Sequence, residues 1–358
     1  MTSDEKWMRR ALALAEKGSG RVHPNPMVGA VLVRGDRVVG EGYHRQFGGP
    51  HAEVEALQKA GNKARGSTLY VTLEPCAHYG KTPPCALAVR EAGIRRVVAA
   101  MKDPNPLVSG KGFRLVKKGG ASVTIGVLEK EARYLNRAFM TWMTRKRPYV
   151  TLKVASSLDG RTSTITGESK WITGEKARSD GHGLRGEADA IAVGSQTVLS
   201  DNPTLTAHAR GRNPLRVIFA SRLKVPLSAR VFNREAESLC VVTDHTLLRR
   251  MDDFKKKGVQ VLLCRAGRTG LADIRDALTH LAARGVAHLL VEGGLTLQQS
   301  FLSAGVVDEV VWYLAPMIIG NAKKLKNAQR LEAMDVAAMG LDLRVRACLP
   351  ESSKRSAK

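Results

Sequence analysis

The sequence predicts an α/β protein of two domains. Strand-like apolar runs alternate with helix-like amphipathic runs along the chain, which is the pattern of α/β layers. The chain has 358 residues, more than the ~250–300 over which one hydrophobic core commonly extends. The basic run Arg145-Lys146-Arg147 is followed by Pro148, which ends a helix. We therefore expect domains over 1–146 and 147–350, and a disordered tail over 351–358.

The first domain is expected to open with an amphipathic helix, because apolar residues from Trp7 to Ala15 recur on one helical face. A β-hairpin follows over 27–43, where apolar and polar residues alternate on both sides of Arg34-Gly35-Asp36. The same patterns predict helices over 50–59, 85–92, 111–118 and 128–145, and strands over 67–73, 97–101 and 123–127.

The second domain repeats the alternation from residue 149 onward. Strands are expected over 149–155, 190–193, 216–220, 239–243, 259–263, 288–291 and 309–315. Helices over 174–187, 271–283 and 297–302 connect several of them.

Composition narrows the class of protein. The hydrophobic share of 43% and the charged share of 25% are typical of a globular protein. Apolar runs stay short of the ~18 residues of a membrane span, and the amphipathic N-terminus does not resemble a signal peptide. Five scattered cysteines do not form a disulfide framework. We expect a cytoplasmic protein with no membrane partner.

The net charge of +24 attracts anions, including nucleic acids and phosphorylated metabolites. The basic runs at 145–147, 255–257 and 323–326 are short and dispersed, and aromatic residues make up only 5% of the chain. This pattern favours a solvated basic surface over specific nucleic-acid binding.

One stretch carries the chemistry. His51, Cys76 and Cys85 are the ligand set of a catalytic zinc whose fourth position is left to water. His-x-Glu with a later Pro-Cys is the signature of zinc-dependent deaminases, in which Glu53 carries protons. Pro50 marks a helix start, where His51 and Glu53 can share one pocket. Zinc-activated water would attack an amino-bearing pyrimidine carbon, and Glu53 would pass the proton to the ring and to the leaving ammonia.

The loop between the two cysteines narrows the substrate. It has eight residues, Ala77 to Pro84, whereas nucleic-acid deaminases of this class commonly have two. His78, Lys81 and Thr82 place a ring, a cation and a hydroxyl beside the metal, which favours a phosphate-bearing substrate.

These motifs closely resemble the bacterial bifunctional riboflavin-biosynthesis deaminase/reductases. The shared segments include His51-Ala52-Glu53-Val54, Thr72-Leu73-Glu74-Pro75-Cys76, Lys81-Thr82-Pro83-Pro84-Cys85, Ser157-Leu158-Asp159-Gly160, Asp201-Asn202-Pro203 and Val291-Glu292-Gly293-Gly294. The resemblance implies a cytidine-deaminase-like three-layer domain followed by a dihydrofolate-reductase-like domain. The first would deaminate 2,5-diamino-6-ribosylamino-4(3H)-pyrimidinone 5′-phosphate with Zn²⁺, and the second would reduce the ribosyl group to ribityl with NADPH. A homo-oligomer is also expected.

The resemblance assigns roles to individual residues. It implies that His51, Cys76 and Cys85 bind zinc and that Glu53 is the acid/base. The implied deaminase substrate contacts are Asn25, His44, His78, Lys81, Asp103 and Asn105. The implied reductase substrate contacts are Lys153, Ser169, Arg185, Leu205 and Glu292. The implied NADPH contacts are Ala155, Trp171, Thr197, Asp201, Thr243, Gly294, Leu295, Thr296 and Leu297.

The chain departs from the family in places. Glu55 lies where relatives often have a second histidine, His208 lies where an arginine is expected, and 320–329 is rich in Lys and Asn. Three alternatives therefore stay open: a nucleic-acid deaminase, a deaminase whose reductase domain is impaired, and a zinc-binding scaffold without activity.

Overall fold

The chain divides into two compact units, Met1–Lys146 and Arg147–Lys358. The structure, a computed structural model, describes residues 2–77, 83–105, 108–163, 172–320 and 332–348. None of the helices in these ranges has the length and apolar character that crossing a bilayer requires.

The described part of the first unit is built on a five-stranded sheet. Its strands are β1 (Gly29–Arg34), β2 (Arg37–Tyr43), β3 (Thr68–Val71), β4 (Arg96–Ala99) and β5 (Ser122–Ile125). Its helices are α1 (Ser3–Glu16), α2 (Ala52–Ala60), α3 (Cys85–Glu91), α4 (Lys111–Lys118), α5 (Glu129–Leu135) and α6 (Arg137–Arg145). The strand order is β2-β1-β3-β4-β5, antiparallel around β1 and parallel from β3 to β5.

Helices α1 and α2 cover opposite faces of this sheet. A side chain at Gly29 would lie 2.0 Å from the carbonyl oxygen of Ala11 in α1. Gly42 pairs with Ala30, the neighbour of Gly29 in β1. A side chain at Gly42 would lie 2.6 Å from the carbonyl oxygen of Ala52 in α2. Since neighbouring residues of a strand point to opposite faces, the unit has three layers, as the family resemblance implied.

The second unit's described residues form a larger sheet of nine strands. These are β6 (Tyr149–Ser157), β7 (Ala190–Gly194), β8 (Leu215–Phe219), β9 (Ser238–Val242), β10 (Gln260–Leu263), β11 (His288–Val291), β12 (Glu309–Ala315), β13 (Glu332–Met339) and β14 (Asp342–Cys348). The helices are α7 (Glu175–Glu187), α8 (Ser195–Asp201), α9 (Leu248–Lys256), α10 (Ile274–Ala283) and α11 (Leu295–Ser303).

The strand order of this sheet is β10-β9-β8-β7-β11-β6-β12-β14-β13. All neighbours from β10 to β12 are parallel, and the hairpin of β13 and β14 is antiparallel at the edge. Alternate residues of β7 enter two separate cores: Ala190 and Ala192 enter one, and Ile191 and Val193 enter the other. The sheet is therefore buried on both faces, as parallel sheets commonly are.

Several features differ from the sequence prediction, including the helices α8 and α9, which were not predicted. The single helix predicted over 128–145 is wrong, because α5 and α6 are separate helices that meet at Asn136. The buried Asn136 amide accepts a hydrogen bond from Met27 N at 2.8 Å and donates one to Met27 O at 2.9 Å. The β13–β14 hairpin was not predicted. The predicted tail over 351–358 lies outside the described residues, as does most of 320–329.

Candidate functional site

The three predicted zinc ligands meet where two helices begin and in the loop that follows a strand. His51 caps α2, Cys85 is the first residue of α3, and Cys76 follows β3. Their donor atoms all lie within 4.8 Å of one another. His51 Nδ1 lies 3.1 Å from Cys85 Sγ and 3.6 Å from Cys76 Sγ. A tetrahedral zinc holds nitrogen and sulfur ligands roughly 3.6 Å apart, so the donor set fits zinc.

The two thiols have different acidities. The pKa of Cys76 is lowered to about 4, chiefly by a hydrogen bond from Cys85 and also by His51. The Cys85 backbone N–H donates to Cys76 Sγ at 3.2 Å as well. The pKa of the Cys85 thiol is raised by its hydrogen bond to Cys76 and by burial. One sulfur of the pair is thus prepared as a thiolate, the form that binds a metal.

Glu53 lies in the first turn of α2, and only 3% of its surface is exposed. Burial and the neighbouring Cys76 raise its pKa to about 7, against the opposing effect of His51. A carboxyl group of this pKa can both accept and release a proton near neutral pH, which is what an acid/base residue needs.

Glu74 anchors the segment that carries Cys76. This carboxylate is 3% exposed and accepts hydrogen bonds from the backbone N–H groups of Asp103, Gly110, Gly112 and Phe113, at 2.9–3.3 Å. Gly112 packs tightly here, because a side chain would lie 1.9 Å from the carbonyl oxygen of Pro75. Glu74 therefore joins the metal-ligand segment to the start of α4. No role was predicted for Glu74 from the sequence.

A cavity of about 310 Å³ opens beside the three ligands. The structure brings four of the predicted substrate contacts, Asn25, His44, Asp103 and Asn105, to its wall together with Glu53. His44 is fixed through both ring nitrogens, by Pro50 O at 2.9 Å and by the Asn25 side-chain nitrogen at 3.1 Å. Sequence reasoning missed the apolar part of the wall, which includes Phe47, Val108, Phe139 and Met143.

Glu55 points elsewhere. Its carboxylate pairs with Arg45 at 2.7 Å, and Arg45 also lies over the Tyr43 ring. Within the described part of the chain, the cavity lining includes Glu53 but not Glu55. The second acid of α2 therefore belongs to the contact between α2 and β2.

In the second unit the structure brings together Lys153, Arg185, Leu205 and Glu292. Arg185 donates to both carboxylate oxygens of Glu292, at 2.8 and 3.0 Å, and Lys153 Nζ lies 3.6 Å from the same carboxylate. Arg185 also donates to the carbonyl oxygen of Thr206, directly after the buried Leu205. Despite burial, Arg185 and Lys153 lower the pKa of Glu292 to about 2, so this carboxylate stays charged.

The predicted NADPH contacts that the structure describes lie at or after the carboxyl ends of parallel strands. Ala155 is near the carboxyl end of β6, Thr197 and Asp201 are in α8 after β7, Thr243 follows β9, and Gly294 follows β11. These strands are parallel, and their carboxyl ends form the crevice where α/β sheets bind nucleotides. Gly294 N–H donates to Thr197 Oγ1 at 3.2 Å, and Leu295 to Leu297 form the first turn of α11.

Four predicted contacts, His78, Lys81, Ser169 and Trp171, lie outside the described residues.

Comparison with known proteins shows the family. The model of the RibD C-terminal domain matches residues 148–346, and that of the cytidine and deoxycytidylate deaminase zinc-binding region matches 1–101. The riboflavin biosynthesis protein RibD of Aquifex aeolicus is 44% identical over 350 residues, which is 95% of this chain and 97% of the relative. The chain belongs to the RibD family.

Other members of the RibD family match this chain over nearly their whole length. RibD of Escherichia coli is 38% identical, over 95% of this chain and 98% of that one. The structure of Acinetobacter baumannii RibD superposes with a TM-score of 0.88 at 39% identity, over 97% of this chain and 99% of that one. A Thermotoga maritima deaminase/reductase gives 0.88 at 38% identity, over the same shares. As a RibD protein, the chain is a bifunctional deaminase and reductase of riboflavin biosynthesis, with zinc and NADPH as cofactors.

Proposed function

We propose that the first unit deaminates 2,5-diamino-6-ribosylamino-4(3H)-pyrimidinone 5′-phosphate and that the second unit then reduces the ribosyl group to ribityl. The observation that carries this proposal is the cavity of about 310 Å³, which is lined by Glu53, by the zinc donors His51 and Cys76, and by polar side chains. That volume suits one small ring-containing ligand. When bound, zinc lowers the pKa of a water molecule and so supplies the nucleophile.

In the first unit, Glu53 takes one proton from water and delivers it to the ring nitrogen, and it then carries the second proton from the added hydroxyl to the amine, which leaves as ammonia. Asn25, His44, Asp103 and Asn105 offer donors and acceptors to the polar edge of the pyrimidine. Phe139 and Met143 offer an apolar surface to its face. We also assign His78 and Lys81 to the substrate phosphate.

In the second unit, we assign the substrate to Lys153, Ser169, Arg185, Leu205 and Glu292. Glu292 fixes the guanidinium of Arg185 through their ion pair, and the ammonium of Lys153 is a second cation beside the same carboxylate. NADPH supplies the hydride, and the residues at the carboxyl edge of the sheet hold it. The first turn of α11 offers backbone N–H groups to its pyrophosphate.

The test is to supply the diamino pyrimidine phosphate with and without NADPH and to identify both products by mass. Without NADPH, we expect a product in which one amino group of the substrate is replaced by oxygen. With NADPH, we expect a product that carries two more hydrogen atoms than this deaminated compound. Glu53→Gln should lose the first step and still reduce deaminated substrate. Accumulation of the first product despite NADPH would indicate a deaminase alone. Ammonia release from tRNA or single-stranded DNA, but not from this substrate, would contradict the proposal.

We also propose that the chain acts in the cytoplasm as a homo-oligomer. The exposed apolar side chains of the β13–β14 hairpin, Val336, Leu341 and Leu343, support self-association because a lone chain would leave them in water. Light scattering after gel filtration measures the mass directly, and a monomeric mass at micromolar concentration would contradict the oligomer.

A further inference from the structure

Beside Arg185, two histidines stack face to face. His182 is in α7, one turn before Arg185, and His208 is in the loop after Leu205. Their ring centroids are 4.1 Å apart with an interplanar angle of 28°. His182 is half-buried and His208 is exposed, so the pair opens to solvent at the edge of the Lys153–Arg185–Glu292 cluster.

The loop that carries His208 is fixed against α7. Arg185 donates to the carbonyl oxygen of Thr206 at 3.1 Å. Gly186 lets the loop approach closely, because a side chain there would lie 2.0 Å from the carbonyl oxygen of Arg210. Leu205, His208 and Ala209 have φ values of 56°, 47° and 63°, which non-glycine residues hold only where their surroundings impose it. The stacked pair is thus preorganised by the backbone.

The charges around the pair favour an anion. His182 faces Arg185 on its own helix, His208 across the stack, Lys153 of β6 and Glu292 after β11. Arg185 and Lys153 share the one carboxylate of Glu292, which leaves an excess of one positive charge. Asp180, also in α7, accepts hydrogen bonds from Tyr313 at 2.6 Å and from Arg344. Burial, Arg185 and His208 lower the pKa of His182 to about 4. A metal cation would be repelled here, whereas a dianion would supply the missing negative charge.

We propose that the stacked His182–His208 pair binds the phosphate monoester of the reductase substrate and takes up a proton as it does so. The inference rests on the proposed reductase reaction. A bound dianion stabilises the imidazolium form, so the complex holds a proton that the free protein lacks. Substrate affinity is then highest at lower pH and falls as pH rises through the pKa of the pair in the complex.

The test measures reductase kinetics with the deaminated substrate supplied directly and NADPH saturating. The range runs from about pH 6.5 to about pH 8.5, above the second phosphate ionisation near 6. We expect the wild-type KM to rise about tenfold across it, with kcat changing much less, since a charge-assisted hydrogen bond is lost. His208→Arg, whose charge is fixed, should keep KM low at every pH. His208→Gln and His182→Gln should each raise KM about tenfold near pH 6.5 and flatten the profile.

Two controls separate this role from a structural one. His280→Gln, in α10, should keep the wild-type profile, and the urea unfolding transition of each variant reports folding of the second unit. The dephosphorylated substrate should show the same KM for wild type and His208→Gln. The inference is overturned if both glutamine variants keep the wild-type KM profile, or if they affect the dephosphorylated substrate equally. Absence of NADPH oxidation by wild type at every pH would instead contradict the proposed reductase function.

Discussion

Glu53 and Glu55 lie two residues apart in α2 and meet different surroundings. Glu53 is buried beside the thiols, and Glu55 pairs with Arg45. The backbone of β2 provides the space for the second side chain, because an added side chain at Gly42 would lie 2.5 Å from Glu55 Cβ. The sequence indicated that one acid works beside the metal. The position of the other depends on which face of α2 packs on β2, and spacing alone does not reveal it.

Replacing each of these two glutamates by glutamine gives a matched pair of variants. Glu53→Gln should lower the kcat of deamination by about 10²–10⁴-fold, because it removes the proton carrier while keeping the shape of the side chain. Glu55→Gln should cost much less, since Glu55 lies outside the described cavity lining. Ammonia release measures both, and zinc content checks that the site still forms. Equal losses in the two variants would contradict the assignment of Glu53.

Glu74 provides a second residue-level prediction. Glu74→Gln should weaken zinc binding by about 10–100-fold, because an amide cannot accept from four N–H groups as the carboxylate does. Competition with a chromophoric chelator measures the affinity. The exposed Glu91 of α3 offers a control, and Glu91→Gln should bind zinc normally. Unchanged zinc affinity in Glu74→Gln would exclude the anchoring role.

Glu292 makes the stability of the second unit sensitive to acid. Its pKa in the folded protein, about 2, lies below the ordinary value of 4.5. Its contribution to the free energy of unfolding, about 3 kcal/mol, is therefore complete above pH 4.5 and is lost as pH falls toward 2. Urea unfolding of wild type and Glu292→Gln should show a difference that shrinks over this range. The exposed Asp252→Asn should show no such trend, and a constant difference for Glu292→Gln would refute the prediction.

At the scale of elements, local signals predicted most of the fold. The predicted ranges 111–118, 288–291 and 309–315 coincide with α4, β11 and β12, where periodicity and flanking turns agree. The break between α5 and α6 was not predictable, because no glycine or proline marks it. It depends on a hydrogen-bonded contact between Asn136 and Met27, 109 residues apart. The same tertiary packing places Phe139 and Met143 in the cavity wall, so sequence reasoning found its polar half and missed its apolar half.

Replacing Asn136 tests this contact. Asn136→Ala leaves the buried Met27 N–H and C=O without their partner, so the free energy of unfolding should fall by about 2–4 kcal/mol. The KM for deamination should rise as well, because Asn25 lies in the same loop. Asn136→Asp keeps the acceptor for Met27 N–H and should lose less. Urea unfolding gives the free energies, and equal stability of wild type and Asn136→Ala would contradict the role.

At the scale of the whole molecule, zinc serves deamination, and the Lys153–Arg185–Glu292 cluster serves reduction. Removing zinc with a chelator should abolish deamination, and NADPH oxidation with deaminated substrate should continue. Zinc at 1,000 times its Kd stabilises the folded form by about 4 kcal/mol, so the unfolding transition of the first unit should shift down. Calorimetry with and without chelator measures this shift. Loss of both activities on chelation, restored by zinc, would contradict the separation.

The contact between Glu74 and the start of α4 has a consequence for substrate affinity. It links the Cys76 segment to the Asp103 segment, since Glu74 accepts a hydrogen bond from Asp103 N–H and Gly112 packs closely against Pro75 O. The conformational entropy of ordering these groups is therefore lost during folding and not when substrate arrives. A deaminase domain arranged in this way meets its substrate with metal and polar wall already at their working distance.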